Sequence, residues 1–404
     1  MNSIFLQYPP DFSIRSFTFL KNIIFVFNKK FRSVKYYIIA GEASGDLHGA
    51  NLMRALKIKD PQSQFRFWGG DLMQEQGGTP VKHYRELAFM GFSEVIMNLR
   101  TILGNISFCK KDIQQWQPDA VILIDYPGFN LRIAEFVQKS GIKVYYYISP
   151  QVWAWKTGRV KSIKKFVDKM FVILPFEKDF YAKYDYKVDF VGHPLLDAMQ
   201  DLTTKNPEKF KSENKLDKRK IIALLPGSRK QEIKVKLPIM LSVAEYFPDY
   251  QFVVGGAPSQ EASFYKEIAQ KDLKIVFGQT YDLIRCSEAA LVTSGTATLE
   301  TALLNTPEVV CYKGSRISYE IGKRVVKYVK FIALVNLIMN REVVKELIQS
   351  DLNTQNLKTE LAKILQDEKR NQILKDYAEL REKLGGPGAS ERTAELIVED
   401  LKLK

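Results

Sequence analysis

From Lys35 onward, short runs of β-branched and aromatic residues alternate with stretches whose apolar residues recur at helical spacing. This alternation constrains the fold more than any other feature, because it is the pattern of βαβ units around a parallel sheet. Strands are expected at 35–40, 64–68, 120–125, 143–148, 170–174 and 188–191. A polar, lysine-rich interval from Asn206 to Arg219 breaks the series. A fresh strand, Ile221-Ile-Ala-Leu-Leu225, then opens a second one that runs through 251–254, 274–277, 289–292 and 308–312 before the chain turns helical. The expectation is an α/β protein of two similar halves with a boundary near 200–220. A length of 404 residues accommodates two such halves, and 46% hydrophobic with 26% charged residues excludes disordered and fibrous classes.

The longest apolar runs, Asp119 to Asp125 and Val144 to Ser149, are strand-sized, so no membrane-spanning helix is expected. Residues 1–34 differ from the rest of the chain: five bases and one acid surround an aromatic run from Phe17 to Phe27. The segment superficially resembles a signal peptide, but Lys21 interrupts the apolar stretch, Asn28-Lys-Lys-Phe-Arg32 comes directly after it, and there is no small-residue cleavage site. It reads as a membrane-surface anchor or as an extension contributed by an upstream start. Cys109, Cys286 and Cys311 are odd in number and far apart, and only His48, His83 and His193 are present, so neither a disulfide framework nor a metal centre is indicated. A reducing cytoplasm fits. Sixty Lys and Arg against 46 Asp and Glu give a net charge of +14, which calls for an anionic partner: nucleic acid, a phosphorylated substrate or an acidic membrane.

Ligands of such folds bind beyond the carboxyl ends of the strands, so the loops there carry the chemistry. Gly41-Glu-Ala-Ser-Gly-Asp-Leu-His-Gly49 comes after the first strand and leads into a helix, where amides form an anion or hydroxyl site. It lacks dinucleotide-fingerprint spacing, and the alternative is that Ser44 or Asp46 merely caps the helix. Ile122-Leu-Ile-Asp-Tyr-Pro-Gly-Phe-Asn130 is a strand ending in a carboxylate, Asp125. Partial burial there suits a general base, and the alternative is a turn aspartate. Leu224-Leu-Pro-Gly-Ser-Arg229 offers a glycine-serine turn with an arginine as a diphosphate clamp, although it is not a Walker A loop. Thr293-Ser-Gly-Thr-Ala-Thr-Leu-Glu300 adds a second phosphate-compatible loop, with Glu300 able to accept both hydroxyls of a ribose. Two such loops in one half suggest a nucleotide donor.

Phe92, Val95, Ile96, Leu99, Ile102, Leu103 and Ile106 recur at helical spacing. A core-facing helix is the ordinary outcome, and a helix that dips into a membrane or grips acyl chains is the alternative. A basic cluster between Lys156 and Lys169, preceded by Trp153-Ala-Trp155, suits phosphate headgroups, stacking on single-stranded nucleic acid, or plain solvation.

Taken together, these stretches resemble the lipid A disaccharide synthases, inverting glycosyltransferases of Gram-negative bacteria. The stretches are 40–46, 87–91, 124–130, 149–155, 174–178, 191–194, 225–229, 294–300 and 335–336, in family order over nearly all of 35–400. The resemblance implies a GT-B architecture, with two Rossmann-like domains facing across a cleft. The domains are 35–205 for the acceptor and 215–378 for the UDP-sugar, and 379–404 forms a helix that packs back on the first. The implied reaction transfers 2,3-diacylglucosamine from UDP-2,3-diacylglucosamine to 2,3-diacylglucosamine 1-phosphate (lipid X), giving the β-1,6 disaccharide 1-phosphate and UDP. By the same analogy Asp125 is the base. Glu42, Ser44, Gly45 and Asn130 line the acceptor side, and Gly227, Ser228, Arg229, Ser294, Gly295, Thr296, Glu300 and Asn336 bind UDP. Val95, Ile96, Leu99, Ile102 and Leu103 meet membrane or acyl chains. No cofactor or catalytic metal is implied. The implied location is the cytoplasmic surface of the inner membrane, peripherally bound, without a nucleic-acid partner; the oligomeric state is left open, a homodimer being one option. The 34-residue extension is not part of the family pattern, and Pro194 after His193 departs from the polar residue of some members. The competing readings are another GT-B transferase or a UDP-sugar epimerase, and, from a different class, a nucleic-acid-binding protein. No RNA-recognition or helix-turn-helix signature supports the last.

Overall fold

Both faces of a parallel sheet are covered by helices, so its strands read as continuous apolar runs whose alternate residues enter different cores. In β1 (Lys35–Ala40), Tyr37 and Ile39 join one apolar cluster while Tyr36, Ile38 and Ala40 join another. In β8 (Lys220–Leu225), Ile222 and Leu224 face one side, and Ile221, Ala223 and Leu225 the other. This computed structural model describes residues 33–87, 99–155, 157–200, 206–270, 272–314 and 330–402. The N-terminal extension up to residue 32, Phe92, Val95, Ile96 and Lys156 lie outside the described residues, as does the side chain of Leu99.

The first sheet is built from β1, β2 (Gln64–Gly69), β3 (Thr79–His83), β4 (Ala120–Ile124), β5 (Lys143–Tyr147), β6 (Lys169–Val172) and β7 (Asp189–Phe190). Their order is β3-β2-β1-β4-β5-β6-β7, and every pairing is parallel. The second sheet contains β8, β9 (Tyr250–Gly256), β10 (Lys274–Phe277), β11 (Ala289–Thr293), β12 (Glu308–Tyr312) and β13 (Lys345–Ile348). It runs β10-β9-β8-β11-β12-β13, again all parallel. Each is therefore a doubly wound Rossmann-like sheet, with its switch point between β1 and β4 in the first and between β8 and β11 in the second. The sequence pattern misses β3 and β13. Both are short edge strands, Thr-Pro-Val-Lys-His and Lys-Glu-Leu-Ile, whose proline and charges suit an unpaired edge and erase the apolar run.

The helix Asp367–Lys383 still belongs to the second half, because Ile373, Tyr377 and Leu380 are buried in its core. The chain reaches the first half at Leu384, somewhat later than the 379 expected from sequence: the Leu384 carbonyl accepts from the His193 amide at 3.3 Å, and Gly385 lies against Phe190 and Gly192. The final helix, Ala389–Lys402, inserts Ala394, Ile397 and Val398 among Tyr36, Ile38, Leu52 and Leu56. Its start is held by Asp197, whose carboxylate accepts from the amides of Gly388 (2.6 Å), Ala389 (3.1 Å) and Ser390 (3.0 Å). Its far end is held by Asp400, which accepts from the Tyr145 hydroxyl at 2.7 Å and pairs with Lys143 and Lys169.

Candidate active site

Parallel register decides what the switch points bring together. Ala40 is paired with Ile124, so the residues next in the chain, Gly41-Glu42 and Asp125-Tyr126, leave the sheet side by side. Leu225 is paired with Val292, so Gly227–Arg229 and Ser294–Thr296 do the same in the second half. The four loops singled out by sequence thus form two pairs, one at each topological switch point.

In the first pair, Asp125 and Tyr126 both adopt left-handed backbone, with φ of 42° and 46°. For residues with a β-carbon this costs about 1–2 kcal/mol each. The conformation is held by its own motif. Asn130 Nδ2 donates to the carbonyls of Asp125 (2.7 Å) and Ile124 (3.2 Å), and the Tyr146 hydroxyl donates to the Asp125 carbonyl. Pro127 starts the helix Pro127–Lys139 immediately afterwards, its fixed φ suiting the first helical position. The Tyr126 ring lies across Gly41. A β-carbon at that glycine would fall 2.4 Å from Tyr126 Cγ, so the two motifs require each other. Burial pushes the Asp125 carboxyl up to about 6, the Glu42 charge adds to the rise, and the Tyr126 amide opposes it.

Glu42 is the half-buried N-cap residue of the helix Ala43–Lys59, Ser44 is exposed in its first turn, and Gly45 packs closely on Ala40. Asp46 does not cap its own helix. Its carboxylate accepts from the amides of Gly70, Leu72 and Met73 and so caps the next helix, Asp71–Glu75. Asn130 is fully buried and acts on the Asp125 turn. Sequence reasoning overlooked Glu177. It is buried, accepts from the amides of Ile173 (3.2 Å) and Leu174 (2.9 Å), and is pushed up to about 7 chiefly by burial, with the Asp125 charge contributing. An acid in the first turn after the strand-end stretch Leu174-Pro-Phe-Glu177 was the available signal.

In the second pair, Gly227 has φ of 113° and Arg229 is the N-cap of the helix Lys230–Leu241. Ser228 and Arg229 are exposed, and Arg229 Nη1 is 3.2 Å from Glu232 Oε1. Gly295 and Thr296 lie at the start of the helix Thr296–Leu303, both exposed, and the half-buried Ser294 donates to the Ile332 carbonyl at 3.2 Å. Glu300 lines a cavity of about 430 Å³ with Gly256, Pro258, Gly278 and Tyr281, at the carboxyl ends of β9 and β10. Burial raises its carboxyl, and a hydrogen bond from Tyr281 opposes the rise. Asn336 is placed differently from the other expected donor-site residues. It is fully buried, its Oδ1 accepts from the Val343 and Val344 amides, and its Nδ2 donates to the Val344 carbonyl and to Glu346. Glu346 in turn accepts from the amides of Ile332 and Ala333. Asn336 therefore supports the segment that anchors Ser294, and its polar atoms are committed there.

The helix Leu99–Trp116 turns Ile106, Cys109 and Ile113 into the core, and Asp112 binds the Tyr37 hydroxyl and Arg66. Ile102 packs partly on that core, whereas Leu103 and Phe108 are 52% and 48% exposed. The basic cluster is partly engaged within the fold: Lys164 donates to the Tyr184 carbonyl and Lys169 pairs with Asp400. Trp153 is half-buried and packs at a near-perpendicular angle against Phe176. Among the described residues no helix is long and apolar enough to cross a membrane.

Two Rossmann-like halves with a carboxylate at one switch point and an arginine-bearing glycine turn at the other define the GT-B class of sugar-nucleotide enzymes. Solved structures agree on the fold. The glycotransferase of kitacinnamycin superposes with a TM-score of 0.62 at 12% identity, covering 92% of this chain and 100% of that one. The UDP-GlcNAc 2-epimerase of Methanocaldococcus jannaschii gives 0.61 at 16% identity, covering 91% and 100%. Sequence relatives are more specific. The lipid-A-disaccharide synthase of Syntrophus aciditrophicus is 43% identical over 374 residues, 90% of this chain and 97% of its own. That of Geobacter sulfurreducens is 39% identical over 377 residues, 91% and 98%. The sequence profile of the Lipid-A-disaccharide synthetase family matches residues 36–399, and the chain belongs to that family. It is a glycosyltransferase.

Proposed function

We propose that Asp125 is the general base of this glycosyltransferase and that the Gly227–Arg229 and Ser294–Thr296 loops hold the donor's diphosphate. The reaction is lipid A disaccharide synthesis. The chain transfers 2,3-diacylglucosamine from UDP-2,3-diacylglucosamine to the 6-hydroxyl of 2,3-diacylglucosamine 1-phosphate. Asp125 takes the proton of that hydroxyl as its oxygen attacks the anomeric carbon. The bond from that carbon to the UDP oxygen breaks, and its electron pair leaves on the diphosphate. Attack opposite the leaving group inverts the centre and gives the β-1,6 linkage. Arg229 and the amides at the start of Thr296–Leu303 stabilise the charge that develops on the diphosphate, so this route calls for no metal. Glu300 accepts from the ribose hydroxyls. Glu42, Ser44 and Gly45 border the acceptor, while Asn130 and Asn336 act one step back by fixing the Asp125 turn and the Ser294 loop.

The observation that carries this reading is the register itself, which sets Asp125 beside Glu42 and the glycine turn of Arg229 beside the Ser294 loop. Membrane binding is proposed on separate grounds. Leu103 and Phe108 are exposed on one helix together with Lys111, a combination suited to a lipid surface carrying anionic headgroups. The test is to incubate the purified protein in detergent with both substrates and detect the disaccharide 1-phosphate and UDP by mass spectrometry. Asp125→Ala is expected to abolish product, and near-normal turnover of that variant with both substrates saturating refutes the assignment.

A further inference from the structure

Glu232 takes no part in the proposed transfer, yet it sits against the Gly227–Arg229 turn. Its Oε1 is 3.2 Å from Arg229 Nη1, and its Oε2 is 3.8 Å from Lys236 Nζ. The same Oε2 lies 2.4 Å from where a β-carbon of Gly227 would stand, so the carboxylate rests directly on the glycine turn. Lys236 is only 4% exposed and donates to the Thr293 hydroxyl, the residue immediately before the Ser294–Thr296 loop. Burial lowers the Lys236 ammonium, and the Glu232 charge is the chief influence opposing that shift. A first-turn acid ordinarily complements the helix end and faces water. Glu232 is instead held between an arginine and a buried lysine, against the proposed phosphate cradle, and its carboxylate offers the same pair of anionic oxygens that a phosphate offers.

Resting on the donor-site assignment of these loops, we propose that Glu232 competes with the donor's diphosphate for Arg229 and the Gly227–Arg229 turn. Donor binding displaces the carboxylate from the arginine, and its return helps expel UDP after transfer. The protein thus binds diphosphates more weakly than its cations alone would allow, which favours turnover where product release matters.

Calorimetric titration of the full chain with UDP, inorganic pyrophosphate and uridine tests this. Removing a charged competitor of this kind predicts that Glu232→Gln binds UDP and pyrophosphate on the order of tenfold more tightly, with uridine affinity unchanged. The Michaelis constant for the UDP-sugar falls in parallel. Equal or weaker UDP binding by Glu232→Gln overturns the proposal, as does a gain for uridine that matches the gain for UDP. Should Glu232→Gln fold poorly, Glu232→Asp retains the charge but withdraws it from Arg229, and an intermediate tightening is expected. No tightening in a folded Glu232→Asp counts against the proposal. Arg229→Ala separates the two readings. If it binds UDP as well as the parent, the donor site itself is misassigned. If it binds UDP weakly while Glu232→Gln gains nothing, the donor site stands and only the competition fails.

Discussion

The pH dependence of turnover offers a direct test of Asp125, because its neighbours make a signed prediction. A base works only when deprotonated, so kcat/KM should rise with pH through about 6, where burial and the Glu42 charge place this carboxyl, and then level off. The rise from the ordinary carboxylate range comes chiefly from burial and secondarily from the Glu42 charge. Removing the Glu42 charge with Glu42→Gln lets Asp125 ionise more readily and should move the acid limb down by about one pH unit or less. At pH 5 a carboxyl titrating near 6 is about one-tenth ionised and one titrating near 5 about half ionised, so Glu42→Gln should gain up to about fivefold relative to its own plateau. The assay is UDP release between about pH 4.5 and 8 with donor saturating and acceptor well below its Michaelis constant, so that kcat/KM for the acceptor reports the free carboxyl over a range that brackets the limb. Limb position reports the electrostatics alone, whereas plateau height also reports any contact between Glu42 and the acceptor. A limb that stays fixed in Glu42→Gln refutes the reasoning. A limb near 7 that ignores the substitution would point to Glu177, whose carboxyl is pushed to about 7 by burial and by the charge of Asp125 rather than that of Glu42.

Two further substitutions probe the frame around the site. Asp197→Ala leaves the amides of Gly388, Ala389 and Ser390 without their carboxylate and should destabilise the protein by about 3 kcal/mol in denaturant unfolding, with Asp197→Asn losing less; a loss under about 1 kcal/mol would show that the final helix does not depend on this cap. Gly41→Ala drives a methyl into the Tyr126 ring and should cost about 1–3 kcal/mol while also lowering kcat, since Tyr126 adjoins the proposed base; unchanged kcat and melting temperature together would refute the coupling between these two loops.

The fold was legible because each central strand is buried on both faces, and that demand writes itself as an unbroken apolar run. Ala120–Ile124 and Lys220–Leu225 are plain in the sequence for this reason. Edge strands carry no such demand: Lys274–Phe277 still shows a short apolar run, whereas the proline and charges of Thr79–His83 and Lys345–Ile348 left no comparable signal. The loops were legible because glycines and a strand-end acid mark departures from regular structure. What the sequence could not reveal is which partner a polar side chain finds. Asp46 falls in the first turn of its own helix, where sequence alone allows it a capping role, yet it reaches across to Gly70, Leu72 and Met73. Asn336 resembles a ligand-binding residue, yet Val343, Val344 and Glu346 use both ends of its amide. Such choices depend on contacts distant in sequence, and periodicity carries no information about them.

The two switch points differ in charge as well as in sequence, and the difference matches the demands of the transfer. The ends of β1 and β4 carry Glu42 and Asp125, and Glu177 lies in the first turn of the helix after β6; burial, aided by the Glu42 charge for Asp125 and the Asp125 charge for Glu177, holds both carboxyls above the ordinary range. Around β8 and β11 lie two cations, Arg229 and Lys236, with the single carboxylate of Glu232 between them. In a displacement that takes a proton from one reactant and leaves negative charge on the other, the acidic site is suited to accept the proton and the cationic site to accept the charge. A symmetric pair of Rossmann-like sheets supplies two equivalent positions for this division of labour. The side chains at the four strand ends make them unequal, and under the proposed roles that inequality, rather than the shared architecture, decides which half takes the proton and which the charge.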